Sequence, residues 1–477
     1  MKRLYLFSWV SLYAIFWTIA TTWLDPTVPY DAIEALNWAQ NAHWGSPKNP
    51  WLVGMIWRPT LWLTEFPMSL YWYSTHFAAI AIGMLGCWYL ARYLSGNEKL
   101  AWLALLTLNL SGIINFDIIS YNDNYLLIML WPWMFLFFYF SITRHPAWWL
   151  LFSLVAGLGM MAKYSTFAFV FAVFIATLVV PKIRSCYRST FFYLAIVLCV
   201  CIVIPNILWL WDHNFAAVDW VDSQIMRQFN PKIIVKLISI FYPLLFLLLI
   251  LHHYKLYLKW PTEISILVII YVAFLPQFFI WLWFLFHHGG RLTEWLQPFF
   301  IIAPPIIVAC VRNYNGQSFR KAFLALFATA LLFLIGYISV LTLNISNSGH
   351  KMQGVITFSQ KVEAIWQKHY NSPFKYVGGD YLSEWVTFYA SSRPQVITRW
   401  DENTQPNIYN KDIEFSDIQK FGALIIGHAE GQCENSSFTK AITQWPQLKI
   451  DHIIDLDFQK DKQSSIYTVC VGLVNPV

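Results

Sequence analysis

The chain contains 477 residues, of which 57% are hydrophobic and only 12% are charged, and its mean hydropathy is +0.48. A soluble domain carries about a quarter charged residues and cannot hide this much apolar surface in one core, so an ordinary soluble protein is excluded. The formal charge of +6 is small for the length and is spread among the loops, which argues against nucleic acid as a partner. The composition predicts a polytopic membrane protein.

The first 24 residues have a basic start and an apolar run of about the length of one span, without a small-x-small cleavage site. They predict an uncleaved first helix. Applied along the chain, the criterion of about 20 apolar residues per span predicts about eleven membrane helices. These lie near residues 5–24, 68–92, 99–117, 124–142, 147–162, 164–181, 190–210, 233–251, 262–286, 295–311 and 322–343.

The loops between these spans differ in charge on the two sides of the membrane. With the N-terminus in the cytoplasm, the inner loops are rich in Lys and Arg, as in "PKIRSCYR" and "HHYKLYLK", and the outer loops hold most of the acids. The positive-inside rule therefore predicts a cytoplasmic N-terminus, and an odd number of spans puts the C-terminus outside.

The first outer loop, about residues 25–67, combines carboxylates with aromatic rings. If residues 30–44 are helical, Asp31, Glu34 and Trp38 fall on one face. One interpretation is an amphipathic helix lying on the membrane, with its acids in water. The other is catalytic, because a carboxylate beside an apolar wall can have its pKa tuned for proton abstraction.

Four further charged residues near the outer side are candidates for ligand binding, and each also has a structural interpretation. Asp123 begins the fourth predicted span and could be a helix N-cap. Lys163 lies between two short spans and could be a snorkelling lysine. Arg58 could be an interfacial anchor. Arg291 follows "HHGG" at 287–290, where a backbone approach to phosphate is a better explanation than a metal site.

The region after residue 343 is polar and alternates strand-like with helix-like runs, which predicts a small α/β domain. The strand-like runs are "KYVGG", "QVIT", "ALIIGH", "KIDHIIDL" and "IYTVCVGLV". Cys433 and Cys470 both lie in this region, and outside the cytoplasm they could form a disulfide; the sequence leaves this open.

The first outer loop resembles that of the GT-C membrane glycosyltransferases, in the branch of protein O-mannosyltransferase-like and aminoarabinose-transferase-like enzymes. The resemblance runs from Asp31 through Glu34 and Trp38 to "KNPWL" at 48–52, which is similar to a Lys-His-Pro-Pro-Leu motif of the family. The chain departs from that motif at two of these five positions, with Asn in place of His and Trp in place of the second Pro. These departures put the role of that His in doubt and point to a divergent subfamily or an unusual substrate.

Three later segments also resemble the family, in the same order. "NFDIISYNDNYLLIMLWP" is similar to its second outer loop, with Asp123 where the fourth span begins. "GLGMMAKYST" resembles its short fifth and sixth helices, joined at Lys163. "HHGGRLTEWLQPFF" resembles its late outer loop, with Arg291 as the basic residue.

The resemblance implies a helical GT-C fold with about eleven spans over residues 1–343 and a periplasmic α/β domain over 344–477. It also implies an inverting glycosyltransferase of the bacterial inner membrane that takes a sugar from a polyprenyl-phosphate carrier. The acceptor would be lipid A, another glycolipid or a protein. We expect no cofactor beyond the lipid-linked donor, leave a divalent metal open, and expect no nucleic-acid partner. The alternative is a transporter or flippase of a lipid-linked sugar.

Within this picture the residues divide by role. Asp31 would act as general base and Glu34 would hold the acceptor or tune Asp31. Trp38 and Trp44 would wall the sugar site, and Asp123 would also contact substrate. The cations would stabilise the departing phosphate; they are Lys48, Arg58, Lys163 and Arg291.

Overall fold

In the computed structural model, the chain divides into two compact units. The first contains residues 1–25, 47–50 and 73–346, and the second contains 26–46, 51–72 and 347–477. The structure describes residues 3–41, 44–46, 48–63, 66–115, 124–223, 225, 229, 231–287, 293–312, 314–343, 352–398, 413–429, 431–461 and 464–477.

The first unit is helical. Its longer helices are α1 (Arg3–Leu24), α4 (Met68–Ser95), α5 (Glu98–Leu108), α7 (Asn124–Thr143), α8 (Trp148–Ala162), α9 (Thr166–Val179), α10 (Thr190–Asp212), α12 (Lys232–His253), α13 (Ile264–His287) and α15 (Gly316–Thr342). The shorter ones are α6 (Gly112–Asn115), α11 (Ala216–Ser223), α14 (Ala303–Ala309) and the 3-10 helix Thr293–Ile302.

The helices of this unit are those of a multi-pass membrane protein. Within the described ranges, 7 helices are long and apolar enough to cross a membrane. Three shorter apolar helices, Trp148–Ala162, Thr166–Val179 and Trp295–Ala309, lie at further predicted spans. The predicted fold class is confirmed, and the number eleven for the spans stays a prediction.

Small residues let neighbouring helices of this unit approach closely. A side chain at Gly83 on α4 would collide with the carbonyl oxygen of Ile128 on α7, and one at Gly157 on α8 would press on Ile202 of α10. Such small residues at helix contacts are typical of membrane bundles, where close van der Waals packing replaces the hydrophobic driving force.

The second unit contains a five-stranded sheet with strand order β2-β1-β3-β5-β4. The strands are β1 (Tyr376–Gly379), β2 (Gln395–Val396), β3 (Ala423–His428), β4 (His452–Gln459) and β5 (Ile466–Val474). β2, β1 and β3 are parallel, and β5 is antiparallel to both β3 and β4. The helices are α2 (Tyr30–Asn41), α3 (Leu52–Trp57), α16 (Val355–His369), α17 (Leu382–Tyr389), α18 (Phe415–Phe421) and α19 (Thr439–Gln444).

The sheet follows the strand-like runs of the sequence closely; β1, β3 and most of β5 are buried, whereas β4 is largely exposed. The buried residues of β3 and β5 include Ile425 and Cys470, which belong to one apolar core. Only β4 is displaced, since it begins at His452 rather than at Lys449. Cys433 and Cys470 form a disulfide with a Cα–Cα distance of 5.5 Å.

Helices α2 and α3 of the first outer loop belong to the same compact unit as the C-terminal sheet. α2 packs on α3 and on α17. Gly54 on α3 makes close approach to α2 possible, since a side chain there would lie 3.3 Å from the carbonyl carbon of Trp38. The sequence prediction had divided the chain near residue 343 and did not include this grouping.

Candidate functional site

The helix that carries the predicted catalytic acids is α2. Pro29 precedes it and accepts a hydrogen bond from the backbone N–H of Ala32, at 3.0 Å, so that the first turn closes around Asp31. A carboxylate in a first turn is stabilised by the positive end of the helix dipole. The residues that follow are apolar at most positions, and this composition suits a helix buried inside the protein.

Burial along α2 tests the interfacial interpretation of the first loop. Asp31 is half-buried, whereas Glu34 and Trp38 are each only 2% exposed. An interfacial helix with both acids in water does not fit this burial. Burying a carboxylate costs free energy unless it is paired or hydrogen-bonded. Glu34 is therefore surrounded by protein groups and not by solvent.

A third carboxylate, which the sequence did not predict, reaches α2 from the C-terminal part of the same unit. Glu384 on α17 is 4% exposed. Its Oε2 atom accepts hydrogen bonds from the Tyr30 hydroxyl at 2.7 Å and from the Asn37 side-chain amide at 3.2 Å. The ring of Tyr30 also contacts Trp385, with centroids 6.2 Å apart. Glu384 therefore holds two turns of the helix that carries Asp31.

The rest of the loop gives the two predicted sugar-wall residues different surroundings. Trp38 is buried, while Trp44 is 43% exposed and meets Trp51 edge-to-face at 5.6 Å. Of the two, only Trp44 presents much ring surface to solvent. Arg58 is half-buried and begins the 3-10 helix Arg58–Leu61.

In the first unit, two predicted cations meet a pair of tryptophans. The Nζ atom of Lys48 lies 5.4 Å from the ring centroid of Trp220, and Nζ of Lys163 lies 5.2 Å from that of Trp295. The two indole rings are themselves 6.0 Å apart. We call Lys48, Trp220, Trp295 and Lys163 the cation–aromatic cluster.

Lys163 is fixed rather than snorkelling. It is 7% exposed, and its Nζ donates a hydrogen bond to Oδ1 of Asn124 at 3.0 Å. Its backbone ends α8 in an extended conformation, which turns the chain toward α9. A buried ammonium beside an indole face is suited to an anionic partner, because its attraction to opposite charge is little screened there.

Two predicted residues, Asp123 and Arg291, lie outside the described residues. Trp220 and Asn124 had not been predicted as site residues, although Asn124 adjoins Asp123 in the sequence and Trp220 lies on a Trp-bearing outer loop. Among the described residues, no group of three His, Cys, Asp or Glu side chains could hold a metal ion.

Two comparisons relate the chain to known proteins. Residues 59–209 match the family model described as dolichyl-phosphate-mannose-protein mannosyltransferase. The fold matches ArnT from Cupriavidus metallidurans bound to undecaprenyl phosphate, with TM-score 0.64, 11% identity and 100% of both chains covered.

The chain has the fold of ArnT. The apo form of the same protein gives TM-score 0.61 at 11% identity, covering 98% of this chain and 99% of ArnT. No curated protein matches the sequence. The resemblance to the GT-C membrane glycosyltransferases is confirmed, by sequence over residues 59–209 and by fold over the whole ArnT chain.

Proposed function

We propose that this protein transfers a sugar from a polyprenyl-phosphate carrier to an acceptor. The observation that carries the proposal is the cation–aromatic cluster in a chain with the fold of ArnT. Ammonium groups pair with a phosphate, and the indole rings between them offer apolar surface to the first units of a polyprenyl chain. ArnT itself was crystallised with undecaprenyl phosphate, which supports the same donor class here.

The reaction we propose is a single inverting displacement. A hydroxyl of the acceptor attacks the anomeric carbon of the sugar, and its proton passes to the carboxylate of Asp31. The bond between the anomeric carbon and the phosphate oxygen breaks, and the lipid phosphate leaves with the electron pair. The leaving group needs charge stabilisation more than a proton, which Lys48 and Lys163 would supply, together with Arg58 and Arg291.

The buried residues around Asp31 have supporting roles in this scheme. Glu34 would hold the acceptor or tune Asp31, and Trp44 would offer its exposed ring to a sugar face. Trp38 would support the wall of the sugar site by packing, since its ring is buried. We place Asp123 among the substrate contacts. No cofactor beyond the lipid-linked donor enters the reaction.

The disulfide supports the side of the membrane on which this occurs. Disulfides persist in oxidising compartments, so the pair Cys433–Cys470 favours a periplasmic second unit. The basic inner loops favour a cytoplasmic N-terminus by the positive-inside rule. Both agree with a bacterial inner-membrane enzyme, whose lipid-linked donor would be needed because nucleotide sugars are not available outside the cytoplasm.

The test is mass spectrometry of lipid A and the other envelope glycans from cells with and without the gene. Loss of one defined sugar should be restored by the wild-type gene and not by Asp31→Asn. The matched control is Asp455→Asn, the same change at an exposed position of β4, which should restore the sugar fully.

Two results would contradict the proposal. Normal glycosylation with Asp31→Asn would remove Asp31 as the base. Unchanged glycan pools in the deleted strain would contradict the transferase function. The transporter alternative would then be tested by measuring the flipping of a labelled lipid-linked sugar.

A further inference from the structure

The second unit contains an open polar cavity that has no part in the scheme above. Its volume is about 280 Å³. The lining residues come from α2, from the 3-10 helix Arg58–Leu61, and from the chain around β1 and β2; they are Gln40, Leu61, Lys375, Ser392, Arg393 and Gln395. The polar side chains in this set are an ammonium, a guanidinium, two amides and a hydroxyl, so hydrogen-bond donors predominate and no lining residue is acidic.

Arg393 is held in this wall by an unusual backbone and by two carbonyl groups. It is 8% exposed and has φ of +46°, a left-handed conformation that costs free energy in a residue other than glycine. Its guanidinium donates hydrogen bonds to the carbonyl oxygens of Thr60 and of Phe66, the latter at 2.8 Å. A cation fixed in this way presents its charge without a further loss of side-chain entropy.

The second cation and one amide are also prearranged. Nζ of Lys375 lies 4.1 Å from the ring centroid of Phe421 and 5.0 Å from that of Tyr376, which holds the ammonium against aromatic faces. Oε1 of Gln40 is buried and has no hydrogen-bond partner within the described part of the chain. Rotation of this amide by 180° would put its NH₂ group, a donor, at the same place.

One carboxylate lies close to the cavity and must be counted in its charge. Glu363 accepts hydrogen bonds from the backbone N–H groups of Ser391, at 3.0 Å, and Ser392, at 2.8 Å. Burial raises the pKa of Glu363, but the hydrogen bonds from Ser392 and Ser391 outweigh it and lower the pKa. Glu363 is therefore ionised. The charges counted at the cavity are then the two cations, Lys375 and Arg393, and one carboxylate that already accepts hydrogen bonds from Ser391 and Ser392.

We infer that this cavity binds the phosphate group of a phosphorylated saccharide and so anchors the acceptor. The inference rests on the proposed transferase function. Gln40 and Asp31 are on the same helix, and a rise of about 1.5 Å per residue separates them by about 13 Å along its axis. A phosphate held by Gln40 is therefore too far from Asp31 to be the reacting group. The separation of the two residues along α2 sets the distance between the anchored phosphate and the acceptor hydroxyl that reacts.

The size of the cavity favours a saccharide head over a larger anion. Ligand pockets usually measure about 300–1,000 Å³, and at about 280 Å³ this cavity falls just below that range, so it suits a phosphate and one adjoining ring rather than a larger ligand. An acidic protein segment would need an extended groove. Free inorganic phosphate shares the same charge, so the experiment must separate it from the phosphorylated sugar.

The experiment is titration calorimetry on the full chain in detergent, with glucose 6-phosphate, glucose and inorganic phosphate as probes. All proteins carry Lys48→Gln, which removes a cation of the other anion-binding candidate. Gln40→Glu, which keeps the shape and adds a negative charge, should weaken glucose 6-phosphate binding at least tenfold, and Lys375→Gln should do the same. The matched control Lys361→Gln, at an exposed position of α16, should bind as its parent does.

The outcomes separate this inference from the transferase proposal because binding is measured without a donor. Asp31→Asn should leave the affinity for glucose 6-phosphate unchanged even where it abolishes transfer. Equal affinity in Gln40→Glu and its parent would overturn the anion site. Inorganic phosphate or glucose binding as tightly as glucose 6-phosphate would overturn the assignment to a phosphorylated saccharide.

Discussion

The Tyr30 hydroxyl donates a hydrogen bond of 2.7 Å to Glu384, a carboxylate that comes from the opposite end of the chain. Asn37 donates to the same oxygen, so one buried acid ties the first and the third turn of α2 to α17. The residue next to Tyr30 is Asp31. The position of the proposed base thus depends on a contact that no local sequence pattern encodes.

Replacing Glu384 by Ala should destabilise the second unit and impair turnover together. The change removes an acceptor from the half-buried Tyr30 hydroxyl and from the buried Asn37 amide, and a buried group left unsatisfied costs about 1–3 kcal/mol. Glu384→Gln keeps an acceptor oxygen and should cost less. Chemical unfolding followed by Trp fluorescence measures the free energy, and equal stability of Ala and Gln variants would argue against the hydrogen bonds as the cause.

Lys163→Met should weaken binding of polyprenyl phosphate at least tenfold while the helix packing around it survives. The substitution keeps an unbranched apolar stem beside Trp295 and removes the buried charge that the phosphate would meet. Binding is measured by quenching of Trp fluorescence with a short polyprenyl phosphate. Lys321→Met, an exposed position near the start of α15, is the control. Similar affinity in the two variants would remove Lys163 from the donor site.

Removal of the disulfide should destabilise the second unit without changing the first. Cys433 and Cys470 are 37 residues apart in the sequence, and the loop-closure entropy of such a loop predicts that the free energy of unfolding falls by about 4 kcal/mol. This value is an upper limit because the unfolded chain retains some structure. The comparison is between wild type and the double variant Cys433→Ser/Cys470→Ser, by limited proteolysis at increasing urea. Thiol alkylation of intact cells tests the pairing itself: both cysteines should resist the reagent until a reductant is added.

The ion pair of Asp380 and His428 gives the second unit a pH-dependent contribution to stability. Burial raises the pKa of Asp380, but the hydrogen bonds from His428 and from the backbone of Tyr381, with the charge of His428, outweigh it and lower the pKa. The hydrogen bond to Asp380 raises the pKa of His428. The Asp380 contribution is present above its ordinary pKa, about 3.9, and is lost as pH falls through the lowered value. The His428 contribution is present below about pH 6.5 and is lost as pH rises through the raised value.

The pair should therefore stabilise most between about pH 4 and 6.5. The melting temperatures of wild type and His428→Gln, measured across pH, should differ most in that window and converge on its alkaline side. A difference that is constant from about pH 4 to 9 would show that His428 acts through packing alone.

The parts that the sequence predicted well have a local physical origin. The runs around Ile425 and Val471 are apolar because both strands lie in the middle of the sheet, and the span-length apolar runs have no other stable environment than a membrane. The helix that the sequence analysis assumed over residues 30–44 is present as α2, over Tyr30–Asn41. Periodicity and length carry this information without reference to distant residues.

The parts that the sequence did not predict depend on contacts between distant segments. Glu384 looks like any acid within a short amphipathic helix, and Trp220 like a solvated aromatic of an outer loop. The cavity residues Gln40 and Lys375 are ordinary polar residues that become neighbours only when the first loop and the C-terminal sheet form one unit. No alternation or spacing within either segment marks them.

The second unit is built from segments that lie far apart in the chain, and this arrangement imposes an order on its synthesis and folding. Residues 26–46 and 51–72 are synthesised early, but the rest of their unit begins near residue 347, after the helices of the first unit have been made. At about 5–20 residues per second, the first loop waits roughly 15–60 s for α17 and the sheet. During that interval α2 lacks its contact with α17, so a nascent chain has its membrane helices before the unit around Asp31 is complete. A ribosome that stops before the C-terminal region would leave the helices of the first unit without a complete second unit.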